Sequence, residues 1–370
     1  MEETFSKPFP NRLRSISSRG GRTDSKERYL RSSKRRSLSI TIVVIITVVA
    51  IFVTLIAGNA DRDLWKILEA LFTFDKSTVE GRFVWLIDMP MIIIALIVGA
   101  GLSLSGTVMQ CILKNPLASP YTLGLSSAAA FGAAFAIIFL GTGNSALGSI
   151  SIDNPFVTMA CAFVFAMLAT GAILVMTKLT NVSAETMVLS GIAIGAIFSA
   201  GLSLMQYFAD SVQLSAMVSW SFGDLNHSDW YWDLVMLLIL LPIAIYFYVN
   251  RWDLNSLDAG DEVAKGLGVN TERFRTLSLL ITAFLSAMLV SRYGVIAFIG
   301  LIGPHIARMV IGSDHRYLIP MSMVMGGCIL LIANCIAANI VRPMVLPVGL
   351  LTSLLGGPMF IYLLARRYRK

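Results

Sequence analysis

Stretches of about 20 apolar residues, the length that crosses the hydrocarbon core of a bilayer as a helix, recur along the whole chain. Read between breaks of Gly, Pro, Asn and charge, they place spans at 38–58, 89–112, 120–140, 156–178, 185–208, 230–249, 276–293, 295–312, 317–340 and 346–365. Lipid offers no partner for backbone N–H and C=O groups, so each span must satisfy its own as a helix. The predicted fold class is an all-α polytopic membrane protein with about ten transmembrane helices. Composition agrees: 14% of the 370 residues are charged, whereas a soluble surface needs about 25%. The seventh and eighth spans are divided only by Arg292, Tyr293 and Gly294.

The net charge of +7 resolves into an orientation signal. Eleven of the 29 Lys and Arg residues lie in the first 38 positions, Lys34, Arg35 and Arg36 among them, and Arg366, Arg367, Arg369 and Lys370 close the chain. Counted by side across ten spans, 23 basic residues fall on the side of the termini and six on the other. The excess marks the cytoplasmic side, so both termini are expected there, in a plasma or inner membrane, with the basic clusters on lipid headgroups rather than nucleic acid. Residues 1–37 read as a disordered basic tail, and 38–58 as a retained first span rather than a signal peptide. Residues 38–370 form the membrane domain.

Two spans are rich in small residues: Gly99, Gly101, Ser103, Ser105 and Gly106 in one, Gly191, Gly195, Gly201 and serines in another. Such residues permit close helix packing, and they could equally line a pathway. Cys111, Cys161, Cys328 and Cys335 lie in apolar stretches with no acid or histidine at ligand spacing in sequence, so they read as packing residues and no metal ligand set is expected. Phosphate-loop, HExxH and GxSxG motifs are absent. Asp88, Glu185 and Asp233 fall at span ends, where solvated interface positions are expected, leaving no acid at mid-membrane to hold a coupling ion. An ion-coupled secondary transporter is therefore the weaker reading, and the energy source is expected on another chain. In the longest loop of the cytoplasmic side, about 250–275, Gly260-Asp261-Glu262-Val263-Ala264-Lys265-Gly266-Leu267-Gly268 predicts a short amphipathic helix. Its acids come first, and Val263, Ala264 and Leu267 share one face.

From about residue 38 to 368 the chain resembles the permease subunits of type II ABC importers, which take up iron-siderophore complexes, haem and cobalamin. The resemblance rests on Gly99 to Gly106, Asn115-Pro116-Leu117-Ala118, Thr122 to Ser126, the Gly260 to Gly268 loop, Phe298 to Arg308, Ser313-Asp314-His315-Arg316 and Leu346-Pro347-Val348-Gly349. It implies a permease that is not itself an enzyme and binds no cofactor, ATP and Mg being held by two separate ATPase subunits. The implied partners are a second permease, as homo- or heterodimer, and an extracytoplasmic binding protein, with a metal chelate such as an iron(III)-siderophore as cargo. The loop from Gly260 to Gly268 then corresponds to the family's ATPase-coupling helix. Asn115, Pro116, Gly303, Pro304, His305 and Arg308 fall in the cytoplasmic gate region, although a capped interfacial histidine and a snorkelling arginine are the plainer readings of the last two. Asp314 is expected to cap the ninth span, and neither His305 nor His315 is expected to ligate metal.

One departure stands out. Where the family reads Arg-Leu-Pro-Arg, with arginines that meet acids of the binding protein, this chain has Asp88-Met89-Pro90-Met91. Arg82, Arg292 or Arg342 would have to substitute in docking, or a different permease partner would have to carry the arginines.

Overall fold

The computed structural model describes residues 20–58, 63–146, 149–152, 154–179 and 183–368. Helices α1 (Gly20–Gly58), α2 (Leu64–Thr73) and α3 (Val79–Phe83) precede α4 (Met89–Ile112), with a π turn, Val84–Asp88, joining the last two. Next come α5 (Leu125–Phe139), an antiparallel hairpin of β1 (Gly143–Ala146) and β2 (Ser149–Ile152), α6 (Pro155–Leu179), α7 (Ala184–Phe208) and α8 (Ser211–Ser221). The chain continues through α9 (Trp230–Val249), α10 (Arg251–Ala259), α11 (Asp261–Gly266) and α12 (Thr271–Tyr293). It ends with α13 (Ile299–Ile311), α14 (His315–Asn339) and α15 (Val348–Tyr368). Among the described residues seven helices are long and apolar enough to cross a membrane, and three shorter apolar ones, Leu125–Phe139, Ile299–Ile311 and Val348–Met359, complete ten segments in the predicted order.

Helix α4 is the axis of the bundle. Ser103, Ser105 and Thr107 have no exposure at all. Thr107 Oγ1 lies 2.8 Å from both the Ser103 carbonyl and Ser322 Oγ of α14. A methyl group added at Gly106 would strike the Gly300 carbonyl of α13, and one at Gly99 the Gly326 carbonyl of α14. Backbones can approach this closely only without side chains between them. By contrast Leu168, Ile197, Leu238 and Ile245, on α6, α7 and α9, are exposed, as lipid-facing positions must be.

Two expectations are corrected. The eighth span is shorter than 295–312: helix begins only at Ile299, and its 13 residues reach about 20 Å, two-thirds of the hydrocarbon core. The preceding segment is non-helical, with Gly294 and Phe298 at φ of 73° and 65°. Ile296 and Ala297 are buried in protein, the condition under which irregular backbone is tolerated at membrane depth. The disordered tail expected over 1–37 is helical from Gly20; residues 1–19 lie outside the described residues, as do Arg369 and Lys370. Tertiary contacts hold that arm, with Ser33 Oγ 2.7 Å from Tyr317 Oη and Arg36 3.3 Å from Asp314.

These contacts define two ends. The α1 arm, the α4–α5 link, α10, α11 and the α13–α14 link gather at a basic end. Helices α2, α3 and α8 and the α12–α13 link gather at the opposite one.

Candidate functional site

At the basic end the predicted short helix exists as α11. Gly260 precedes it at φ 129°, a conformation that suits glycine. Asp261, expected only to complement the helix dipole, is the hub that fixes α11 to the bundle. It accepts Arg275 Nη2 of α12 at 3.1 and 3.2 Å and Lys114 Nζ of the α4–α5 link at 2.8 Å. Arg275 is 3% exposed and also donates Nε to the Ile112 carbonyl at 2.7 Å, satisfying an orphan acceptor at the end of α4. Burial pushes the Asp261 carboxyl up, but the ammonium of Lys114 and the guanidinium of Arg275 outweigh it and hold the group below its ordinary value. Lys114 and Arg275 carried no motif signal; only a buried arginine needing a carboxylate betrays them.

The apolar face is divided. Ala264 is wholly buried, whereas Val263 and Leu267 remain 48% and 69% exposed. Adjacent residues on a helix sit about 100° apart, so α11 seats itself with one apolar residue and presents two. Glu262 pairs with Lys265 at 3.8 Å on the exposed side, and Gly268 at φ 88° ends the turn.

Of the gate-region residues, Asn115 and Pro116 follow Lys114 in the α4–α5 link, whereas the other four lie on α13. Asn115 Oδ1 accepts the Leu117 N–H at 2.9 Å, shaping the turn through Pro116 into α5. Gly303 and Pro304 lie in α13, buried, with Gly303 against Ser103. His305 is half-buried on the same helix, and Arg308 holds Nε and Nη2 buried without hydrogen-bond partners among the described residues. Asp314 caps α14 as expected, accepting the Arg316 N–H at 3.1 Å, and gathers the Arg316, Arg36 and Asn255 side chains. Burial raises its carboxyl, but the donors of Arg316 and Asn255 hold it below the ordinary carboxylate value. Cys111, read from sequence as a packing residue, has Asp258 and His315 beside it in space.

The small residues form helix contacts. Gly99 and Gly106 face α14 and α13, Gly101 faces Leu289, Gly191 and Gly195 face Leu123 and Gly124, and Gly201 faces Phe131. Ser103 and Ser105 are enclosed, the latter donating to the Thr282 carbonyl at 3.3 Å.

At the opposite end Arg82 is exposed, but Asp88 is 9% exposed and packs beside Gly58. Asp233, expected at a solvated interface, is 3% exposed with neither oxygen hydrogen-bonded among the described residues. It sits in the first turn of α9, where the helix dipole favours a carboxylate. Glu185 is exposed as expected. Arg292 donates to the His227 carbonyl at 2.7 Å, lies 3.8 Å from Asp229 and stacks over the Trp232 ring at 5.1 Å. Arg342 bonds the Ala57 carbonyl and Asn339 Oδ1. A cavity of about 550 Å³ opens here, lined by Thr158, Trp220, Asp224, His227, Arg292 and Tyr293 among others.

Among the described residues, ten apolar helices around a small-residue axis, with one short helix fastened outside the bundle, define a polytopic membrane protein. The sequence matches the FecCD transport family over residues 46–366, and the chain belongs to that family. It is 43% identical over 348 residues to a Methanocaldococcus jannaschii protein, MJ0087, provisionally named an ABC transporter permease, covering 94% of this chain and 99% of that one. To the hemin transport system permease protein HmuU of Yersinia pestis it is 38% identical over 296 residues, 80% of this chain and 87% of the other. Among solved structures it matches one provisionally described as a metal-chelate type ABC transporter in an inward-facing conformation. That match has a TM-score of 0.77 and 27% identity, over 89% of this chain and 99% of the other. The chain is thus a multi-pass permease of the type II ABC importer class.

Proposed function

We propose that this permease carries an iron(III)-siderophore or a similar metal chelate into the cytoplasm, driven by two separate ATPase subunits that hold ATP and Mg. The basic end faces the cytoplasm, a second permease subunit completes the pathway, and an extracytoplasmic binding protein delivers cargo at the opposite end. Exposed Arg82 and Arg342 are the basic residues best placed to receive it in place of the family's arginines. Asp88, enclosed beside Gly58, is not available for docking.

The observation that carries this reading is α11. It leaves Val263 and Leu267 uncovered while Asp261 ties it to α4 and α12 through Lys114 and Arg275. A lever that transmits force needs an apolar contact on one side and a stiff attachment on the other. Leu267→Asp is expected to abolish co-purification of the ATPase and ATP-dependent uptake together, leaving the permease folded in the membrane. An intact complex with normal transport would sink the proposal. Uptake that survives loss of the ATPase and collapses with a protonophore would establish an ion-coupled carrier instead.

A further inference from the structure

Three residues that are far apart in sequence meet where α4, α10 and α14 converge at the basic end. Cys111 ends α4, Asp258 lies on α10 and His315 opens α14, and one donor atom from each falls within 4.8 Å of the other two. Cys111 and His315 are buried, whereas the Asp258 side chain is 30% exposed. We propose that Cys111, Asp258 and His315 bind a divalent transition-metal ion of the zinc type, with water as the fourth ligand on the side Asp258 opens to solvent.

Mixed thiolate, imidazole and carboxylate donors suit zinc, which takes four ligands at about 2.0–2.3 Å. Closing the present cluster to those distances needs movements of about 1 Å, which the exposed Asp258 can make by rotation. The histidine is already prepared. Asn255 Oδ1 lies 2.9 Å from both the His315 backbone N and ring Nδ1, while Asn255 Nδ2 is 3.3 Å from Asp314. That arrangement makes Asn255 Oδ1 the acceptor of Nδ1–H, which also lies 3.8 Å from Asp258 Oδ2, and it leaves the lone pair on Nε2, a buried atom with no hydrogen-bond partner among the described residues; a turn of the Asp258 side chain from Nδ1 toward Nε2 is therefore part of closing the site. A ligating histidine commonly has its other ring nitrogen held by such a carbonyl.

Charge favours the same outcome. The Cys111 S–H donates to the Leu254 carbonyl at 3.3 Å, and this proton must leave to solvent when metal binds. A divalent cation placed between thiolate and carboxylate removes their repulsion and leaves the three ligands plus ion neutral. Gly260 alone separates α10 from α11, so the ion fastens the stem of α11 to α4 and α14.

The test uses the full-length chain in detergent, stripped of metal and titrated with Co²⁺. The expected result is stoichiometric binding with the charge-transfer absorption of a cobalt–thiolate bond, displaced by Zn²⁺, and a melting temperature that Zn²⁺ raises. Cys111→Ser should lose the charge-transfer band and the Zn²⁺-dependent shift while melting like the wild type without metal. Asn255→Ala should weaken affinity about 10–100-fold by freeing the ring. If Cys111→Ser fails to fold, Asp258→Asn, at the exposed member, must lower the affinity in its place. Absence of the band, its persistence in Cys111→Ser, or unchanged affinity in Asp258→Asn would overturn the site. The outcome does not depend on the cargo or on the ATPase, because the readout is metal binding itself.

Discussion

The two ends of the bundle are held by different physics. At the basic end, charges from α1, the α4–α5 link, α11, α12 and α14 interlock through Asp261 and Asp314, and the key guanidinium, Arg275, is almost wholly enclosed. At the opposite end, aromatic rings do the joining. Trp85 stacks on Phe74 and Trp230 at 4.6 and 6.1 Å and donates to the Ala70 carbonyl, while Trp230 donates to the Trp85 carbonyl at 2.8 Å. Amphipathic rings at a membrane boundary give adhesion with little directional demand. A buried ion pair demands one geometry and penalises any departure from it. The contrast suits the proposed coupling role of α11 at one end and the cavity at the other.

The largest effect is expected from Arg275→Met. It removes the charge-assisted bonds to Asp261, which keeps Lys114, and orphans the Ile112 carbonyl; together these losses cost about 3 kcal/mol. Thermal unfolding in detergent should show it, and Arg275→Lys should recover only part, because the Nε donor to Ile112 is lost. Trp85→Ala at the opposite end should cost less, about 2 kcal/mol, since the ring is only partly buried and no charge is left behind. A loss equal to that of Arg275→Met would dissolve the contrast between the ends.

Acidity should separate the ends with opposite signs. The Asp224 carboxylate, 3.4 Å from His227, pushes that imidazole up against the opposing pull of burial. Its contribution is complete below about pH 6.5 and fades as pH rises through the folded value. Asp261 is held below its ordinary value, so its contribution is complete above about pH 4 and is lost only as pH falls through the depressed folded value. Hydrogen exchange between about pH 5.5 and 8.5 should therefore show the 224–229 loop loosening on alkalinisation while α11 stays protected. The smallest effect is expected of Glu262→Gln, which removes an exposed pair and should leave the melting temperature unchanged.

Much of this architecture was legible in sequence wherever one local rule sufficed. Span length alone placed α9 at 230–249 and α4 at 89–112, and Gly260 with the acids after it placed α11. Legibility failed where a partner came from a distant element. Nothing near Asp233 or Asp88 tells that neighbouring helices enclose them, and apolar periodicity ran straight through Val295–Phe298, which the structure leaves non-helical. Ala264 shared its face with Val263 and Leu267 in the helical pattern, yet packing took one and released the other two.

Sequence by itself determined that this chain spans the membrane about ten times, that its basic residues favour one side, and that its family is that of importer permeases. Hydropathy and charge act additively along a chain, so they can be read in order. Tertiary structure alone decided that Lys114 and Arg275 anchor α11, that the arm before the first span is helical against α14, and that Cys111, Asp258 and His315 meet. These depend on angles and distances between helices remote in sequence. Close approach of glycine-lined backbones sets them, and no periodicity within a single helix records it.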